Sequence, residues 1–237
     1  MPAFSGSLEG PKDIPNLSGK VILITGGTAG PGAAAAIHLA KHSPAHIYIS
    51  GRNAKSADAV IQQAQKSGTK VSFLACNLAS LNSVKKAAET IPTILAQESR
   101  LDLLMCNAGI MAVPPGKTDG YEIRFRTIHL GHALLIQTCL LQEQQTAALP
   151  GADVRVAILT SLGFRMHQDT GIVFSDLKSE QNFTEPSLTV HPGVVGMELV
   201  ENLGWASRAF VYVTNMGKLM KPEEGTYNKL WASTTPK

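Results

Sequence analysis

The stretch Thr25-Gly26-Gly27-Thr28-Ala29-Gly30-Pro31-Gly32 decides how this chain is read. It follows the apolar run Val21-Ile22-Leu23-Ile24 and leads into Ala33-Ala34-Ala35-Ala36-Ile37-His38-Leu39-Ala40, so it reads as strand, glycine-rich turn and helix. Glycine permits a sharp turn and a close approach by a ligand, because no Cβ stands in the way. The N–H groups and dipole at the start of the following helix favour an anion, such as a dinucleotide pyrophosphate. A glycine-rich turn alone says little; one set between a strand and a helix near the N-terminus says more.

Outward from that turn, short apolar segments alternate with helical ones. Strands are expected at Lys20–Thr25, His46–Ser50, Lys70–Cys76, Leu101–Cys106, Val154–Thr160 and Leu188–His191. They are apolar nearly throughout, as strands buried on both faces should be. Helices are expected over Gly32–His42, Ser56–Ser67, Leu81–Gln97 and Tyr121–Gln145. Asn53 or Ser56 is placed to cap the second and Gly68 to end it, while Pro92 should kink or split the third. The alternation predicts a doubly wound parallel sheet in three α/β/α layers, with ligands at the carboxyl ends of the strands. Residues 1–18, rich in Gly, Pro and Ser, read as a flexible arm before a single domain over residues 19–237.

The chain has 237 residues, is 44% hydrophobic and carries a formal charge of +3, which suits one soluble domain with a full core. That charge is too small, and too evenly spread, to point to nucleic acid. No run approaches the roughly 20 apolar residues of a membrane helix. The start, Met1 to Gly6, lacks the basic and apolar regions of a signal peptide, so a cytoplasmic location is expected and the sequons at Asn16 and Asn182 read as chance matches. Cys76, Cys106 and Cys139 are odd in number and flanked by apolar residues, as reduced core thiols would be.

The second strand ends at Ser50-Gly51-Arg52-Asn53. An acidic residue here would accept from a ribose 2′-OH, whereas an arginine accommodates a 2′-phosphate, so Arg52 favours NADP(H) over NAD(H). A solvated loop arginine is the plain alternative.

Further pieces fall in order behind the turn: Cys76-Asn77-Leu78, Asn107-Ala108-Gly109, His129-Leu130-Gly131-His132, Thr160-Ser161 and His191-Pro192-Gly193. Together they resemble the short-chain dehydrogenase/reductase family, most of all its retinol-dehydrogenase-like and fungal members, over roughly Gly19 to Trp231. The resemblance implies a Rossmann-like fold and a cofactor set of Gly26, Thr28, Gly30, Pro31, Gly32, Arg52, Asn77, Leu78, Asn107, Ala108, Gly109, Pro192, Gly193 and Val195. Pro31 stands where the family usually has Ile or Leu, and it removes an N–H that could face phosphate. Asn77 stands in place of the usual aspartate near the adenine. Ser161 matches the catalytic serine that hydrogen-bonds the substrate oxygen; taken alone it would be a post-strand turn residue. Ile128 occupies the position where an asparagine often holds a proton-relay water. His129 and His132, three residues apart, lack a third metal ligand at useful spacing and read as packing residues.

The resemblance also implies a tyrosine with a lysine four residues later. A phenol of pKa near 10 needs a neighbouring cation to exchange protons at neutral pH. The four tyrosines, Tyr48, Tyr121, Tyr212 and Tyr227, are followed four places on by Arg52, Phe125, Met216 and Trp231, so no Tyr-x-x-x-Lys occurs. Between Ser161 and the strand expected at Leu188 no long amphipathic helix is visible, and the likeness jumps over the crossover that carries the pair. The last strand of the family's sheet is also expected to be missing. Apolar sheet surface and an open edge would then be uncovered, and homo-oligomerisation through the lost helix weakened. The expected function is NADP(H)-dependent oxidoreduction of a ketone or secondary alcohol on a small metabolite, with the proton left to water or His167. The alternative is an inactive relative that binds nucleotide or a protein partner. A metal hydrolase using His129, His132 and Ser161 lacks an activating base beside the serine.

Overall fold

A computed structural model describes residues 14–110, 113–114, 116–160, 177–179, 226, 230 and 233–234. Five parallel strands form the main sheet: β1 (Val21–Thr25), β2 (His46–Gly51), β3 (Lys70–Ala75), β4 (Leu103–Cys106) and, beyond a hairpin of β5 (Lys117–Thr118) and β6 (Tyr121–Glu122), β7 (Arg155–Ile158). Their order is β3-β2-β1-β4-β7, and in-register pairs such as Ile22 with Ile47 and Leu103 bind the middle. Helices α1 (Gly30–Ala40), α2 (Ala54–Gln65), α3 (Leu81–Glu98) and α4 (Gly131–Ala147) connect the strands.

Strand periodicity sorts the core into two layers. Ile22, Ile24, Ile47, Ile49, Val71 and Met105 face one way and pack with Leu39 of α1 and Val60 of α2. Val21, Leu23, Leu74 and Leu104 face the other way and pack with Val84, Ile91 and Leu95 of α3 and Leu135 of α4. Each fully buried aliphatic side chain contributes roughly 2 kcal/mol, so the doubly wound architecture follows from strands apolar on both faces. Asp102 ties the amino end of the sheet together. Its buried carboxylate accepts from the Val21 N–H at 2.9 Å and from Arg100, while its carbonyl accepts from the Arg155 N–H at 2.8 Å.

Local signals act as expected at α2: the Asn53 side chain accepts from the Ser56 N–H at 3.3 Å, and Gly68 takes φ +81° just beyond the helix. Other expectations need correction. α3 is not split at Pro92 but continues from Leu81 to Glu98, with Ile91 and Leu95 both held in the core on either side of it. The helix expected over Tyr121–Gln145 starts later. Asp119 and Gly120 adopt positive φ and close the β5–β6 hairpin, and the Glu122 carboxylate then accepts from the Arg124 and Phe125 N–H groups. The chain passes through a π-helical turn, Phe125–Leu130, before α4. The end of the segment read as a loose arm is packed: Ile14 and Leu17 are buried, and the Leu17 N–H donates to His42 O.

Among the described strands β7 pairs with β4 alone, and its Val156 and Ile158 are 40% and 65% exposed. It is therefore not buried on both faces as expected. All three cysteines are buried free thiols. No helix among the described residues is long and apolar enough to cross a membrane. The strand expected at Leu188–His191 lies outside the described residues.

Candidate functional site

β1 and β4 are neighbours whose connections leave to opposite sides of the sheet, and the crevice at their carboxyl ends is where doubly wound folds take ligands. The glycine-rich turn fills its rim. Gly26 and Gly30 adopt φ of +63° and +52°, a region that side chains disfavour. A Cβ on Gly26 would stand 2.9 Å from the Ala108 Cα, and one on Gly32 would run into the Gly26 carbonyl. These glycines let the turn fold onto itself and press against Asn107-Ala108. The Gly27 N–H reaches over to the Ser50 carbonyl at 3.1 Å, fixing the turn to the end of β2.

Among the described residues no side chain caps α1: Ala29 is extended and makes no cap bond. Backbone N–H groups therefore serve this positive helix end, with Pro31 contributing none. The Pro31 carbonyl accepts from the Thr226 hydroxyl at 3.1 Å, which anchors the start of α1 from the far end of the chain. An uncapped helix start behind a closely wound glycine turn fits the pyrophosphate of a dinucleotide. Thr28 packs over Gly51, whose added Cβ would lie 2.8 Å from the Thr28 side chain, and Arg52 follows as an exposed cation. Asn77 uses its side-chain oxygen to accept from the Ala79 N–H at 3.1 Å, shaping the turn after β3. Leu78 is buried, and its carbonyl accepts from Arg126, a fully buried guanidinium that also pairs with Asp119 at 3.1 Å.

Asn107, Ala108 and Gly109 follow β4 directly. The Asn107 and Ala108 N–H groups both donate to Thr25 Oγ1 at 2.9 Å, and Asn107 Nδ2 donates to the Thr25 carbonyl at 2.9 Å. A Cβ on Gly109 would meet nothing within 4 Å, so this segment borders open space. His132 Nε2 lies 2.8 Å from the same Thr25 hydroxyl, and His132 Nδ1 lies 2.7 Å from the Ile128 carbonyl. His129 instead stacks on Phe125 with ring centroids 5.2 Å apart. The two histidines thus have separate partners rather than a common one. Thr25 and His132 were not among the site residues drawn from the sequence; the polar threonine ending an otherwise aliphatic strand was the available signal. Burial pushes the Cys76 thiol up to about 11 and the Cys106 and Cys139 thiols up to about 12, which disfavours their thiolate forms.

Residues 20–129 match the short chain dehydrogenase family. An uncharacterized oxidoreductase of Schizosaccharomyces pombe is 31% identical, the alignment covering 94% of this chain and 75% of that protein. The chain belongs to the short-chain dehydrogenase family. It is therefore a family oxidoreductase by descent, of the kind that uses nicotinamide dinucleotides. A polyprenol dehydrogenase of Homo sapiens is 28% identical over 92% of this chain and 73% of its own length. In fold, a short-chain type dehydrogenase/reductase from Mycobacterium marinum superimposes with a TM-score of 0.69 at 20% identity, covering 95% of this chain and 92% of that one. The alignment with the yeast protein runs over 258 positions, more than the 237 residues of this chain. The relative therefore carries residues that this chain lacks.

Gly26 and Gly32 lie against Asn107-Ala108 where β1 and β4 end, Thr28, Gly30 and Pro31 belong to the same turn and Gly109 follows Ala108, with Arg52 and Asn77-Leu78 at the ends of the neighbouring strands β2 and β3. Ser161, Pro192, Gly193 and Val195, like His167, lie outside the described residues.

Proposed function

We propose that this chain is an NADP(H)-dependent short-chain dehydrogenase/reductase acting on a ketone or secondary alcohol of a small molecule. The observation that carries the reading is the crevice between β1 and β4, with its uncapped helix start and the exposed Arg52 one residue beyond β2. Backbone N–H groups at the start of α1 would hold the pyrophosphate, and Arg52 the 2′-phosphate. Asn107 to Gly109 would border the nicotinamide-side ribose. When bound, the dinucleotide supplies or accepts the hydride. Ser161 would orient the substrate oxygen by hydrogen bonding, and water or His167 would exchange the proton.

A second reading, nucleotide binding without turnover, is favoured by one observation: the sequence contains no Tyr-x-x-x-Lys. Titration with NADPH and NADH, followed by absorbance at 340 nm across a panel of ketones and secondary alcohols, separates the two. NADPH binding with turnover supports the first reading, and binding without turnover supports the second. Absence of binding to either nucleotide removes both. Arg52→Glu should weaken NADPH at least tenfold while leaving NADH within about twofold; an unchanged preference would remove the NADP(H) assignment.

A further inference from the structure

The Thr25 hydroxyl is buried at the carboxyl end of β1 with four polar neighbours. They are the Asn107 and Ala108 N–H groups at 2.9 Å, His132 Nε2 at 2.8 Å and the Met105 carbonyl at 3.4 Å. A hydroxyl has one proton and two lone pairs. The two amides can only donate, so they occupy both lone pairs. The proton must go to His132 Nε2 or to the Met105 carbonyl, and the ring nitrogen is the nearer. The far side of the ring fixes its tautomer. Nδ1 faces the Ile128 carbonyl at 2.7 Å, which can only accept, so Nδ1 carries the ring proton and the neutral ring leaves Nε2 bare. Burial, with a smaller contribution from neighbouring His129, lowers the His132 pKa and outweighs the opposing Ile128 bond.

We propose that His132 is a positioning residue of the nucleotide site. It takes the Thr25 hydroxyl proton, turns both Thr25 lone pairs onto the Asn107 and Ala108 amides, and so locks the π turn to the ends of β1 and β4. The inference rests on the reading of this crevice as a dinucleotide site. His132 reaches the nucleotide through the backbone rather than by touching it. The same frame extends to the glycine turn, because Asn107 Nδ2 holds the Thr25 carbonyl at 2.9 Å and lies 3.4 Å from that of Gly26. Packing alone would demand a ring of this size at position 132. The hydrogen-bond count demands, in addition, a bare acceptor on one side and a donor on the other.

The test uses the full chain, with NADPH as the probe and three readouts. In the 15N spectrum of the labelled wild-type imidazoles, His132 should show a protonated Nδ1 and a bare Nε2 at neutral pH; the reverse tautomer would overturn the proposal. His132→Phe and Thr25→Val should each weaken NADPH roughly five- to tenfold, as loss of one buried hydrogen bond predicts. The double variant should bind no worse than the weaker single, and Thr25→Ser should keep wild-type affinity. Additive losses in the double variant would overturn the proposal. Amide exchange at Asn107 and Ala108 should quicken about tenfold in His132→Phe, with Ile47 and Ile49 of β2 unchanged; equal exchange at all four would overturn it. Should His132→Phe fail to fold, His132→Leu serves the same comparison. Should wild-type chain bind no NADPH, the dinucleotide reading falls while the tautomer and exchange measurements still decide the role of His132.

Discussion

Two buried histidines sit at opposite ends of the same sheet, and their partners differ in kind. At the amino end, His46 places Nδ1 2.6 Å from Glu98 Oε1 and Nε2 2.8 Å from Ser72 Oγ. Glu98 also accepts from the Tyr48 hydroxyl at 3.0 Å and stands 3.6 Å from Lys70. At the carboxyl end, His132 meets a hydroxyl and a backbone carbonyl, with no carboxylate among the described residues. A carboxylate and a serine hydroxyl tolerate an imidazolium, since Ser72 can turn to accept. Thr25, already accepting from two amides, cannot. The amino end is thus a charged clasp that can take up a proton and keep its bonds, while the carboxyl end is a neutral frame that works in one protonation state only.

The contrast makes ordered predictions. The largest effect belongs to the carboxyl end: Gly32→Ala forces a methyl group onto the Gly26 carbonyl. It should cost about 3 kcal/mol or more in urea unfolding and abolish NADPH binding measured by titration. Glu98→Ala should come next, costing about 2 kcal/mol because it strips His46 and Tyr48 of their shared acceptor. Its NADPH affinity should match wild type; a parallel loss would mean the two ends are coupled.

Acidification probes both histidines at once. Burial lowers each pKa below 6.5, against the opposing Glu98 bond at His46 and the Ile128 bond at His132. The unfolded chain therefore binds protons more readily than the folded one, so stability is full above about pH 6.5 and falls as the pH drops toward the lowered values. Glu98 adds a second loss at lower pH. Burial pushes its carboxyl up, but the His46 and Tyr48 hydrogen bonds outweigh that and hold it below 4.5. Urea midpoints at pH 7.5, 5.5 and 4 should fall in that order, and NADPH affinity should fall at lower pH than the first loss of stability if the neutral His132 frame is needed. Arg52→Glu should be the smallest in stability, within about 0.5 kcal/mol by thermal melting, since the side chain is exposed.

The sequence made the carboxyl end legible in outline because glycine spacing and strand–turn–helix order are local patterns. The five parallel strands and the Asn53 cap follow from such patterns, whereas the pairing of the glycine turn with Asn107-Ala108 comes from the family resemblance. The hub at Thr25 was not legible: its partners lie 80 to 107 residues away, and a hydroxyl's hydrogen-bond count exists only after the chain has folded. The hairpin before the π turn was missed for a related reason. The Lys117–Glu122 strands are two residues each, too short for periodicity, and the Asp119-Gly120 turn was the only mark they left. Pro92 does not split α3 because proline's cost is local, whereas Ile91 and Leu95 are buried on both sides of it.

Asp102 has a bearing on the order in which the chain assembles. β1, β2 and β3 can zip up one after another from neighbouring segments, but β1 and β4, which Asp102 joins by accepting from Val21, lie 81 residues apart. Closing so long a loop is slow, and its entropy must be spent before the contacts of β4 and β7 repay it. The half of the sheet nearer β3 should therefore form early and wait. An Asp102→Ala chain should then refold more slowly in stopped-flow experiments, because the missing carboxylate is the first fastener that the late half of the sheet would find.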